Sequence, residues 1–157
     1  MNADESCATC SMTWKKGRGK LGPMAPLIGS WRATADSPMG KVTCTRTFME
    51  ALGGKYMVLD CEWRFGKKIY MEHALFGLKD GQLSFWSFTS DGKHSAGVLT
   101  AAVDIHKEAL CFEADMDAGR ARQVYWPNDA GGFNWAVESK NKKGWKRFVL
   151  HSYQKAG

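Results

Sequence analysis

The feature that most constrains this chain is its punctuation. A turn signal recurs about every 8 to 12 residues, and no helical period runs between the signals. The turns read Ser37-Pro38-Met39-Gly40, Leu52-Gly53-Gly54-Lys55, Phe65-Gly66-Lys67, Lys79-Asp80-Gly81, Ser90-Asp91-Gly92, His106-Lys107-Glu108, Asp117-Ala118-Gly119, Asn128 to Gly132 and Asn141 to Gly144. The Asp-Gly pairs suit turns that require a positive φ. Cutting there leaves about ten short strands with no long crossover, so each is expected to pair with its sequence neighbour. Closing such a meander removes the exposed edges of an open sheet. The expected fold is all-β: an antiparallel up-and-down barrel of about ten strands with an internal cavity. A short helical turn, Pro23 to Ile28, is expected at the N-terminal end.

With 157 residues the chain suits one domain with a real core. Residues 1–22 are polar and glycine-punctuated and read as a flexible arm ahead of a barrel domain at 23–157. The formal charge of +6 is concentrated in Lys15 to Lys20 and Lys140 to Arg147. Both read as solvated loops rather than a continuous basic face, so nucleic acid is not expected as a partner. No stretch is apolar enough to span a bilayer and no signal-peptide core is present, which gives no membrane partner and a cytoplasmic location as expectations. A homodimer is compatible with this composition. The five cysteines argue against a disulfide framework. Cys7 and Cys10 form a lone CxxC without two further ligands, while Cys44, Cys61 and Cys111 lie in strand patterns where thiols act as small core residues. No metal site is expected.

Period-two alternation assigns the inward faces. Trp31, Ala33 and Ala35 share one face; so do Val42, Cys44, Arg46 and Phe48, and Met57, Leu59, Cys61 and Trp63. Ile69, Met71, His73 and Leu75 form the next set, followed by Leu110, Phe112, Ala114 and Met116, then Phe133, Trp135 and Val137. The strand from Gln82 to Thr89 is aromatic on both faces. In the last strand, Arg147, Val149, His151 and Tyr153 oppose Phe148, Leu150 and Ser152, and either set could face inward.

The Gly29-Ser30-Trp31 opening, with Lys146 and Arg147 in the last strand, resembles the lipocalin-like (calycin) superfamily. The similarity runs from Leu27 to Tyr153 through Arg46 to Lys55, Phe76-Gly77-Leu78 and Phe85-Trp86-Ser87-Phe88 with Asp91-Gly92. Within that superfamily the chain is most similar to an uncharacterised bacterial family of about this size. The resemblance implies a barrel with a cavity and assigns no reaction. It also implies that Gly29, Trp31 and Arg147 (or Lys146) form the closure, the cation covering the indole. A neighbouring branch of nitrobindin-type barrels holds haem through a last-strand histidine. Here the matched position is Phe148, with His151 three residues on and expected on the other face.

These features lead to a first expectation of a container for a small hydrophobic or amphipathic molecule, anionic or neutral, without a cofactor. Arg46, Trp63, His73, Phe85, Phe112, Trp135 and His151 are its candidate ligand-binding residues, with Arg122 and Arg147 as further inward cations. An inward arginine needs an acidic side chain or an anion as partner. The alternative is a cofactor-free isomerase or cyclase using His73 as acid/base, and the third reading is a haem barrel. His94 and His106, in or beside turns, are expected to be exposed.

Overall fold

The computed structural model describes residues 14–116 and 119–156. Ten strands follow one another: β1 (Gly29–Ser37), β2 (Gly40–Ala51), β3 (Tyr56–Phe65), β4 (Lys68–Lys79), β5 (Gln82–Thr89), β6 (His94–Thr100), β7 (Leu110–Met116), β8 (Gly119–Pro127), β9 (Phe133–Asn141) and β10 (Gly144–Lys155). Each pairs antiparallel with its chain neighbours, and β1 with β10 closes the barrel. The strand count is as the punctuation implies, and the described turns fall where it places them, the β6–β7 turn being part of a longer connection over 101–109. Cys7 and Cys10 lie outside the described residues.

A 3-10 turn, Gly22–Leu27, seals one end by burying Met24 and Leu27 completely. Above it Trp31, Phe48, Phe76, Tyr125, Phe133 and Tyr153 pack ring against ring, with Phe133 stacked on Tyr153 at 5.0 Å. Gly132 makes that approach feasible: a Cβ there would fall 1.9 Å from the Tyr153 carbonyl oxygen. The other end, ringed by the turns near residues 38, 66, 91 and 142, has no such cap among the described residues and is the open end.

The inward faces of β1, β2, β3, β7 and β9 match the alternation. That of β4 is inverted. Tyr70, Glu72, Ala74 and Phe76 face the interior, whereas Ile69, Met71 and His73 are exposed. The reason is the hairpin register: Asp60 on the outer face of β3 pairs with His73, and inward Cys61 pairs with Glu72. Directly opposed residues share a face, so β3 dictates β4. In β5 the inward set is Leu83, Phe85 and Ser87, all buried. In β10, Val149, His151 and Tyr153 face inward, but an irregularity between Arg147 and Val149 puts Arg147 outside with its partner Glu138.

The closing contact also differs from expectation. Trp31 pairs with Lys155, whose Nζ lies 4.5 Å from the indole centroid; Arg147 instead lies over Trp126 at 5.2 Å. Arg147 is eight residues up the strand, at the opposite end of the barrel. Gly29 keeps its expected role, with φ at 128° where the chain enters β1. Hydrogen-bonded register along this seam covers only Trp31↔Lys155 and Arg32↔Gln154. Toward the open end β1 and β10 part.

Candidate functional site

Arg46 is the centre of the interior. Its side chain is wholly buried, and its guanidinium carbon lies 3.9 Å from the Trp135 ring centroid. Nε donates to the Tyr153 hydroxyl at 3.2 Å and Nη1 to the Tyr125 hydroxyl at 2.8 Å. Nη2 has no partner among the described residues. Burial opposes the charge, but the acidic groups around it, Tyr125, Cys61, Tyr153 and Glu72, outweigh that and hold its pKa above the usual guanidinium value. Both tyrosines are pushed up by burial, so they remain neutral acceptors.

Around this centre the barrel brings together residues from six other strands. Glu72 on β4 accepts from Ser87 Oγ on β5 at 2.6 Å. Gln123 on β8 accepts from Trp135 Nε1 on β9 at 3.1 Å, and Trp63 Nε1 on β3 meets Cys61 Sγ at 3.1 Å. His151 on β10 is buried beside Trp63 and Trp135, with ring centroids at 5.2 and 5.5 Å. Burial and then the neighbouring Arg46 charge lower its pKa to about 4. It is therefore a neutral imidazole at pH 7, beside the Arg46 guanidinium.

Two hollows border residues of this cluster. A cavity of about 170 Å³ is walled by Glu72, Phe85, Phe112, Gln123, Trp135 and Val137. A second, about 340 Å³, opens where β1 and β10 part, between Ala35 to Val42 on one side and Phe148 to His151 on the other, with Trp63 and Phe65 behind. The first is comparable with a cavity that accommodates one benzene ring. The second is an open hollow along the seam.

Of the candidate residues, Arg46, Trp63, Phe85, Phe112, Trp135 and His151 converge on this interior. His73 does not. It lies on the outer wall, more than half exposed, with Nδ1 at 2.7 Å from Asp60 Oδ1, and so cannot act as acid or base within the cavity. Arg122 borders the smaller cavity but pairs its guanidinium on the outer wall, and Arg147 lies outside. Arg122 holds Asp104 with two nitrogens, at 2.7 and 3.3 Å, and Glu138 at 2.7 Å; Arg147 reaches the other Glu138 oxygen at 2.9 Å. Trp145 covers Arg122 at 4.4 Å. This network fastens the β6–β7 connection, through Asp104, to the outer wall.

Glu72, Gln123, Tyr125 and Tyr153 are interior polar residues that the candidate set omitted. Glu72 was legible in principle, since it faces Cys61 once the Gly66-Lys67 turn fixes the β3–β4 register. The contact of Tyr125 and Tyr153 with Arg46 was not, because the three are brought together from β2, β8 and β10. His151, three residues beyond the matched Phe148, faces inward as a neutral imidazole with the Trp63 and Trp135 rings packed against it.

Compared with protein-family models and with curated proteins, the chain gives no match.

Proposed function

We propose that this is a lipocalin-like container that binds a small amphipathic molecule, entering through the parted β1–β10 seam. Phe85, Phe112, Trp63 and Trp135 offer an apolar body non-directional affinity. The polar end of the ligand is a hydrogen-bond acceptor, neutral or anionic, aimed at Arg46. The observation that carries this reading is the orphan Nη2 of a fully buried guanidinium. An unsatisfied buried donor of a charged group costs about 1 to 3 kcal/mol or more, so Nη2 calls for an acceptor, which a ligand atom or an ordered water would supply.

Native mass spectrometry of the freshly purified chain tests the idea, because a co-purifying molecule would give its own mass. Thermal-shift titration with carboxylates and alcohols of matched chain length then tests the anchor. Arg46→Met should weaken the best binder at least about tenfold, the loss of one charge-assisted hydrogen bond. A ligand that binds wild type and Arg46→Met equally would overturn the assignment.

A further inference from the structure

We propose that the open end of the barrel docks on an anionic lipid surface, with its mouth and the hollow along the seam turned toward the bilayer. This concerns the rim and stands independently of which molecule the cavity holds. One observation is apolar. Met39, Ile69 and Phe148 are 61%, 41% and 61% exposed, and all three border hollows at the mouth. They come from three separated elements: the β1–β2 turn, the start of β4 and the irregularity in β10. Only the closed barrel gathers them.

The other observation is electrostatic. Lys67, Lys68, Lys93, Lys142, Lys143 and Lys146 are exposed at or beside turns of that same end, and none is in an ion pair with a described carboxylate. Among the described residues, the rim carboxylates Asp36, Asp91 and Asp115 each have another partner. Asp36 faces Lys41, Asp115 holds Arg120, and Asp91 accepts from Thr89 Oγ1 and the Lys93 backbone. At the sealed end, Glu50, Asp80, Glu108 and Asp129 stand among Lys55, Lys79, Lys107 and Lys155, so the barrel itself is close to balanced there. The second basic run, Lys15 to Lys20, also lies at the sealed end, where Trp14 N donates to Glu108.

Unpaired lysines around protruding apolar tips suit a lipid headgroup layer. The cations are drawn to anionic headgroups within a Debye length, and the tips enter the acyl boundary. A nucleic-acid strand would instead call for a basic groove with planar rings for base stacking, and Met39 and Ile69 provide no such platform. The expectation of no membrane partner rested on the lack of a spanning segment, and indeed no helix among the described residues is long and apolar enough to cross a membrane. A surface contact requires none.

Co-sedimentation of the full chain with vesicles tests the proposal, using phosphatidylcholine alone or mixed with phosphatidylglycerol, at low and high salt. Binding is expected only to the mixed vesicles, weakening as salt rises. The double variant Lys142→Glu/Lys143→Glu should lose about tenfold or more in partitioning. Phe148→Ser should lose several-fold while keeping the salt dependence. Lys15→Glu/Lys16→Glu makes the same charge change at the sealed end and should retain binding; all variants should melt as wild type. Equal binding to neutral vesicles, equal loss in both double variants, or binding to polyuridylate with none to vesicles would each overturn the proposal.

Discussion

Lys155 and Trp31 are cross-strand partners at the seam, with the ammonium 4.5 Å from the indole centroid and the indole Nε1 donating to the Leu27 carbonyl at 2.7 Å. Trp31 thus ties the sealing turn, the first strand and the last strand together. Trp31→Ala is expected to cost about 3 to 5 kcal/mol, since it removes buried area and leaves a void. Lys155→Met should cost about 0.5 to 1 kcal/mol, the cation–π share at a partly exposed site. Urea unfolding followed by circular dichroism measures both. A larger loss for Lys155→Met than for Trp31→Ala would contradict the assignment.

Glu138 is the buried carboxylate of the outer-wall network, 5% exposed and shared by Arg122 and Arg147. Glu138→Ala should destabilise by about 3 kcal/mol, because Arg122 remains buried with half its counter-charge gone. Asp104, 58% exposed, holds the same guanidinium from the solvent side. Asp104→Ala should cost under about 1 kcal/mol. Equilibrium unfolding of the two variants should therefore separate them clearly, and equal losses would deny Glu138 its central place.

His151 makes stability pH-dependent in a definite direction. Its folded pKa is about 4 against a usual 6.5. Between those values the unfolded chain binds the proton and the folded one does not, so stability falls as pH drops through that window. The contribution is fully in place above pH 6.5 and is lost progressively as pH falls toward 4. His151→Gln should flatten the melting temperature between pH 7 and pH 4.5. An unchanged slope in that variant would place the titrating group elsewhere.

The core thiols should be inert. Burial pushes Cys44 up to about 11 and Cys111 up to about 12, and it raises Cys61 as well. Thiolate is the reactive form, so none of the three should be alkylated by iodoacetamide at neutral pH until the chain unfolds. Peptide mapping after native and denatured labelling checks this.

Much of the barrel is local. Positive-φ turn residues such as Gly66 and Gly81 mark where the chain reverses, and a two-residue turn mirrors every pair in its hairpin. Given inward Cys61 and Trp63, the Gly66-Lys67 turn already implies that His73 lies outside, opposite Asp60. Alternation within β4 alone misses this, because its outer face carries Ile69 and Met71, more apolar than the inner face with Glu72. The Asp80-Gly81 turn carries the argument one strand further and places Phe85 inside, opposite Phe76.

Turn chemistry and period-two alternation act over a few residues, and they suffice for the strand count, the neighbour pairing and the inward faces of β1, β2, β3, β7 and β9. The face of β10 depends on how it pairs with β9. The Asn141–Gly144 hairpin starts in one register, and the irregularity after Arg147 shifts it by one, sending Arg147 outward and His151 inward. A one-residue slip reverses every side chain beyond it. The same holds for the hydrogen bonds of Arg46 to Tyr125 and Tyr153, which are 79 and 107 residues away along the chain. Their meeting depends on closure, which no local pattern encodes, because it is the pairing of β1 with β10 that curves the sheet and turns their side chains toward one centre.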